Sequence, residues 1–301
     1  MQDKSGSNAL PHVSNERGRR PRIALMGEFS AGKSTLANMM IGADPLPMQV
    51  IATQLPPVWI SHGKHPPTRV ELDGAEEPCD PERLAECPLE TTAYIKLSCE
   101  EELLKLCDLI DMPGISDPNM SSDVWERVLP HCDGVIWCSH ATQAWRQSEA
   151  AVWDTVPEAL RANSILLLTR SDMLLNERDR ERVLKRVQNE TSDLFDKCLM
   201  ISLLEAREAE DDQELWKASG ADAFVRHFLG ILQRLTQSLE TPVEGAPFEI
   251  LEEQRRADVD QRSDPTRPRV TPRRPNLQRQ MRQSNNPGEQ EHTRTTRTLT
   301  R

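Results

Sequence analysis

Between Arg22 and Leu239, short runs that are apolar throughout alternate with longer stretches in which apolar residues recur every three or four positions. Runs such as Gly134-Val135-Ile136-Trp137-Cys138 and Ile165-Leu166-Leu167-Leu168 have no polar face. That is the pattern of central strands covered on both sides. The reading predicts strands at 22–26, 56–61, 68–72, 93–98, 105–111, 134–138, 164–169 and 198–201. Helices are expected at 33–41, 81–86, 121–129, 146–161, 177–193, 206–217 and 220–239. Such alternation predicts an α/β fold, a mostly parallel sheet with helices on both faces. The last helix carries Phe224, Val225, Phe228, Leu229, Ile231, Leu232, Leu235 and Leu239. This stripe at helical spacing is expected to pack on the sheet edge rather than lie on a membrane.

The pattern fades at both ends. Residues 1–20 are polar, with Pro, Ser, Asn and Gly, and residues 241–301 are dominated by Pro, Arg, Gln, Thr and Asn. Both are expected to be disordered, flanking one domain at 21–240. The chain has 301 residues and a net charge of −11, and the charge is uneven. Residues 254–301 hold twelve Arg, no Lys and five acids, so the body is strongly acidic. An acidic body argues against nucleic acid as a partner, whereas the Arg-rich tail suits an anionic partner: peripheral contact with an anionic membrane, RNA or an acidic protein. Seven cysteines without a C-x-x-C pair, and no segment ordered like a signal peptide, suit reduced thiols and a cytoplasmic location. No apolar run approaches the length needed to span a bilayer.

Candidate chemistry begins at Gly27-Glu28-Phe29-Ser30-Ala31-Gly32-Lys33-Ser34-Thr35. It reads G-x-x-x-x-G-K-S between a predicted strand and a predicted helix, the setting of a phosphate-binding loop. Gly27 and Gly32 let the chain wrap, and loop amides with the helix N-terminus cradle a triphosphate. Lys33 is expected to reach the β/γ oxygens and Ser34 to hold Mg²⁺.

Three further segments complete a site. The predicted strand at 105–111 ends in Asp111-Met112-Pro113-Gly114. Asp111 can serve Mg²⁺ through water and the Gly114 amide can face the γ-phosphate. Thr169-Arg170-Ser171-Asp172 follows another apolar strand. A carboxylate there accepts two hydrogen bonds from guanine, which adenine does not offer, and the Arg170 stem can stack on the base. The alternative is that Ser171 or Asp172 caps a helix. Thr53 is the only threonine between the loop helix and the next strand, and is expected to close over the γ-phosphate. His62, His65, Cys79 and Cys87 are too irregularly spaced to suggest zinc, and the segment Trp145-Arg146-Gln147 finds no role.

Together these residues resemble the GTPase domain of dynamin-family proteins, the bacterial members most of all. The resemblance covers residues 20–240 and rests on four motifs in order and spacing. It implies a three-layer P-loop NTPase fold that binds GTP or GDP with Mg²⁺. Lys33, Ser34, Thr53, Asp111 and Gly114 would handle phosphates, metal and water, and Asp172 would read guanine. Ser202, in Met200-Ile201-Ser202-Leu203, matches the last and weakest motif, at the base. Ser30 matches the position that in dynamins stabilises developing charge, often with a monovalent cation. Partners implied are a second G domain of this chain or a longer dynamin-like protein.

The sequence also departs from the family. Phe29 stands where dynamin itself has Gln, and Arg170 where the base motif usually has Lys. Ile115, after Gly114, replaces the water-orienting Gln of small Ras-like GTPases, which dynamin-family members also lack, using loop groups and the Thr53 position instead. Some sixty residues follow Leu239, too few for a helical stalk, so membrane fission by this chain alone is not expected. Two functions are therefore carried forward: a GTPase, and a GTP-dependent binding module with negligible turnover. An ATP-using kinase rests on the phosphate loop alone.

Overall fold

In the computed structural model, residues 18–42, 55–116 and 122–240 are described. Thr53 and the segment from 241 onward lie outside them, as does residues 1–17 of the N-terminal segment. The strands are β1 (Arg22–Gly27), β2 (Val58–His62), β3 (Thr68–Glu71), β4 (Glu76–Pro78), β5 (Thr92–Cys99), β6 (Asp108–Asp111), β7 (Gly134–His140), β8 (Ile165–Thr169) and β9 (Lys197–Met200). The helices are α1 (Lys33–Ile41), α2 (Asp123–Glu126), α3 (Gln147–Trp153), α4 (Glu158–Arg161), α5 (Glu177–Glu190), α6 (Leu203–Glu208), α7 (Gln213–Ala218) and α8 (Ala221–Glu240).

The strands form one nine-stranded sheet in the order β4-β3-β5-β2-β6-β1-β7-β8-β9. From β6 to β9 every pairing is parallel. Beyond β6, β2 runs antiparallel to it, and β5 pairs parallel to β2. The sheet is thus mostly parallel, as the alternation predicts. Every residue of β1 and β8 is buried, which is why they read as continuous apolar runs.

Side chains of successive strand residues part to opposite faces. Ile23, Leu25, Ile136 and Cys138 join one core with Leu36, Ile41, Leu203, Phe224, Phe228 and Leu232 of α1, α6 and α8. Ala24, Met26, Val135 and Trp137 join the other with Trp125, Trp153, Leu160 and Val187 of α2, α3, α4 and α5. In the second core Trp153 stacks on Phe195 at 4.0 Å and meets Trp137 edge-on at 5.5 Å. Of the α8 stripe, Phe224, Phe228, Ile231, Leu232 and Leu235 pack into the first core as expected, while Leu229 is exposed.

Several expected boundaries are corrected. The helix expected at 146–161 stops at Trp153 and resumes at Glu158. Pro157 lies between, and its ring and missing N–H cannot continue the turn. The helix expected at 206–217 is two helices, the second started by Asp212, whose side chain accepts from the Glu214 and Leu215 amides. Among the described residues of 121–129, only Asp123–Glu126 form an α-helix. The strand expected at 105–111 begins at Asp108, after a tight turn at Glu102–Lys105. Strand β4 was not expected; its three residues are all exposed, so no period marks it. Among the described residues no helix is long and apolar enough to cross a membrane.

Candidate functional site

The carboxyl ends of β1, β6 and β8 carry Gly27, Asp111 and Thr169 to one edge of the sheet. Parallel pairing in register forces this, since β1 lies between β6 and β7, and β7 beside β8. In open α/β sheets that edge is where ligands bind.

Backbone geometry shapes the loop between β1 and α1. Gly27 has φ +136°, and a Cβ there would stand 2.0 Å from the Cys138 carbonyl oxygen. Gly32 (φ +85°) starts α1 from a left-handed conformation, and Ser30 also lies there at +59°. Inside the loop, Lys33 donates from Nζ to the carbonyls of Gly27 (3.2 Å) and Glu28 (2.9 Å). Burial lowers the pKa of Lys33, and the Asp111 carboxylate opposes that effect.

Ser34 Oγ donates to Asp111 Oδ2 at 2.6 Å. Asp111 Oδ1 is buried with no hydrogen-bond partner. Burial raises the pKa of Asp111, partly offset by Lys33 and the Ser34 hydrogen bond. A hydroxyl beside a carboxylate with a spare, desolvated oxygen is a donor set that suits a hard divalent cation such as Mg²⁺.

The Gly114 turn closes against the loop. A Cβ on Gly114 would stand 2.8 Å from the Phe29 backbone. The Ile115 amide donates to the Gly27 carbonyl (3.2 Å), and the Phe29 amide to Ser116 Oγ (3.1 Å). The Phe29 ring is half exposed and the Ile115 side chain packs against the second core.

The base-reading candidates meet on the other side. Ser202 Oγ donates to Asp172 Oδ1 at 2.8 Å and accepts from the Glu205 amide at 3.1 Å, so it also caps α6. Thr169 Oγ1 donates to the Ala31 carbonyl at 2.8 Å, and Arg170 donates to the Ser30 carbonyl at 2.8 Å. These bonds tie the end of β8 to the phosphate loop. The capping alternative fails: α5 starts at Glu177, its cap is Asn176, and Ser171–Met173 is a single tight turn. A pocket of about 610 Å³ lies between the start of α1 and the Asp172 segment, lined by Gly32, Thr35, Asn38, Arg170, Asp172 and Leu203 among others. The structure therefore gathers Gly27 to Thr35, Asp111, Gly114, Thr169, Arg170, Asp172 and Ser202, while Thr53 lies outside the described residues.

One set of residues escapes sequence reasoning. Glu28 is held by Arg146 Nη1 and by Ser148 Oγ, each at 2.9 Å. Behind them Glu149, 1% exposed, accepts from Trp137 Nε1, Ser139 Oγ and the Arg146 amide. The one local signal was an acid three residues after Arg146, the spacing that closes a helix start.

Comparison with known proteins agrees with this geometry. Residues 23–171 match the sequence model described as the dynamin family. Dynamin-like protein 2 of Campylobacter jejuni is 28% identical over 242 residues, 78% of this chain and 38% of that protein. A chain of an oligomerised bacterial dynamin pair, described as a mechanism for long-range sensing and tethering of membranes, superposes with a TM-score of 0.51. It is 24% identical, over 74% of this chain and 36% of the other. A second chain described in the same terms gives a TM-score of 0.50 at 22% identity. This chain thus spans well under half the length of the relatives it matches. With the phosphate loop, the Asp111 turn and the Asp172 segment in one site, and residues 23–171 matching the family model, this region of the chain is similar to the GTPase domain of the dynamin family.

Proposed function

We propose that this chain binds GTP and hydrolyses it to GDP and phosphate with Mg²⁺. The observation that carries the reading is the junction of distant segments at one sheet edge, with Ser34 on Asp111 at 2.6 Å and Ser202 on Asp172 at 2.8 Å. The loop amides and Lys33 hold the β- and γ-phosphates and neutralise charge on the transferring oxygens. Lys33 needs only to exchange two loop carbonyls for phosphate oxygens. Ser34 and Asp111 hold the Mg²⁺, which supplies positive charge against the β- and γ-phosphates. Thr53 orients the attacking water, and Ser30 manages developing charge, with a monovalent cation where one is needed. The Gly114 amide senses the γ-phosphate, and Asp172, Arg170, Thr169 and Ser202 form the base site. The test is Lys33→Ala with labelled GTP: the account expects affinity to be abolished, and wild-type affinity overturns the phosphate-loop assignment.

A second reading, a GTP-dependent binding module with negligible turnover, is favoured by one observation. The residue after Gly114 is Ile115, and its side chain packs against the core, so it offers no group to a water. Phosphate release from the full chain, with and without K⁺, separates the two. Zero turnover under both conditions, with GTP bound, supports the module. We also propose a cytoplasmic chain that pairs with a second G domain or a longer dynamin-like partner, and peripheral contact between the Arg-rich tail and anionic membranes. Cosedimentation with anionic and with neutral vesicles tests the last.

A further inference from the structure

Glu28 is electrostatically out of place. It lies in a loop that, on the reading proposed above, receives a triphosphate, yet it brings a carboxylate of the same sign as the ligand. Its position is toward the β/γ end, because Lys33 Nζ contacts the Glu28 carbonyl at 2.9 Å while Asp172 and Ser202 mark the opposite, base end. The side chain is only 15% exposed, so water screens it poorly. Its charge is felt nearby: it weakly opposes the burial that lowers the Lys33 pKa, and adds slightly to the burial that raises that of Glu149.

The chain supplies a dedicated counter-charge from 118 residues away. Arg146 Nη1 lies 2.9 Å from Glu28 Oε2, and Ser148 Oγ donates to Oε1. Arg146 is itself fixed. Its amide donates to the buried Glu149 at 2.9 Å, and the preceding Trp145, at φ +59°, donates its amide to Ser139 Oγ at 3.2 Å. A left-handed, non-glycine residue held by two hydrogen-bonded neighbours is pre-set, so the guanidinium reaches Glu28 at little further ordering cost.

We propose that Arg146 is a positioning residue for nucleotide binding: it cancels the charge of Glu28 so that the loop accepts a triphosphate. Arg146 acts through Glu28 and needs no contact with the nucleotide. Loss of Arg146 alone leaves an uncompensated carboxylate in the phosphate loop, and loss of both charges removes the problem. The penalty is larger for GTP than for GDP, because the triphosphate carries more charge at that end.

The experiment measures GTP and GDP affinity of the full chain by fluorescent-nucleotide titration, at low and high salt, for wild type, E28Q, R146Q, R146K and E28Q/R146Q. Arg146→Gln is expected to weaken GTP binding about tenfold at low salt, GDP less, with the loss narrowing at high salt. E28Q/R146Q returns GTP affinity to within about twofold of wild type, the coupling a charge pair produces. R146K stays close to wild type because it keeps the charge. The proposal is overturned if R146Q binds GTP as wild type does, or if E28Q/R146Q binds no better than R146Q. Should R146Q not fold, as read by its melting curve, E28Q/R146Q decides alone: wild-type-like affinity supports charge cancellation, and weakened affinity overturns it. A wild-type chain that binds neither nucleotide instead overturns the nucleotide site on which the inference rests.

Discussion

Gly27 is the residue where backbone and site are most tightly coupled. Its φ of +136° and the 2.0 Å approach of the Cys138 carbonyl leave no space for a methyl group. Gly27→Ala is expected to lower stability by about 3 kcal/mol or more, read as a drop in the urea midpoint. Ser34→Ala should behave differently. It removes one hydrogen bond to Asp111 at a cost of about 1 kcal/mol. The Mg²⁺ dependence of nucleotide affinity should fall with it, while the fold persists. At this scale the sequence is legible where chemistry demands fixed spacing: the loop from Gly27 to Thr35 is read directly. It is silent where a contact joins distant segments. Nothing near Glu28 announces Arg146, because the fold, not the chain, makes them neighbours.

Among the elements, those buried on two sides are the ones the sequence reveals. Strands β1, β7 and β8 appear as apolar runs because neither face meets water. Strand β4 is three exposed residues at the sheet edge, so neither period nor composition reveals it. The helix that includes Pro157 shows competition between signals. Its apolar spacing continues through 146–161, yet the proline ends the regular turn, and α3 and α4 result. Helix α3 also carries Glu149, which holds the Arg146 amide, and Trp153, which packs against Trp137 and Phe195. Trp153 is fully buried, and Trp153→Ala is expected to cost about 3–5 kcal/mol, measured by chemical denaturation. Burial raises the pKa of Glu149, opposed by hydrogen bonds from the Arg146 amide, Trp137 and Ser139. A carboxyl whose folded pKa lies above its unfolded value contributes stability at low pH, and loses it as pH rises through the folded value. Wild-type stability should therefore decline relative to Glu149→Gln as pH rises above the ordinary glutamate range. A pH series of melting temperatures on both proteins checks the sign; a parallel pH dependence would refute it.

For the whole molecule, the parallel block from β6 to β9 explains why residues far apart in sequence act together. Each strand delivers its carboxyl-terminal residue to the same edge, and the short hydrogen bonds Ser34–Asp111, Thr169–Ala31 and Ser202–Asp172 lock the segments in register. The α/β class and the order of motifs were readable from the chain. That these segments share one site was also expected, but the bonds that join the halves, Thr169 to Ala31 and Arg170 to Ser30, were not, because they depend on strand order, which no local pattern encodes. The central claim is a guanine-nucleotide site, and competition between GTP and ATP on wild type and Asp172→Asn tests it most directly. The account predicts that wild type prefers GTP over ATP by about 100-fold or more, and that Asp172→Asn loses that preference while retaining its fold. Equal binding of GTP and ATP by wild type, or undiminished GTP preference in Asp172→Asn, would contradict it.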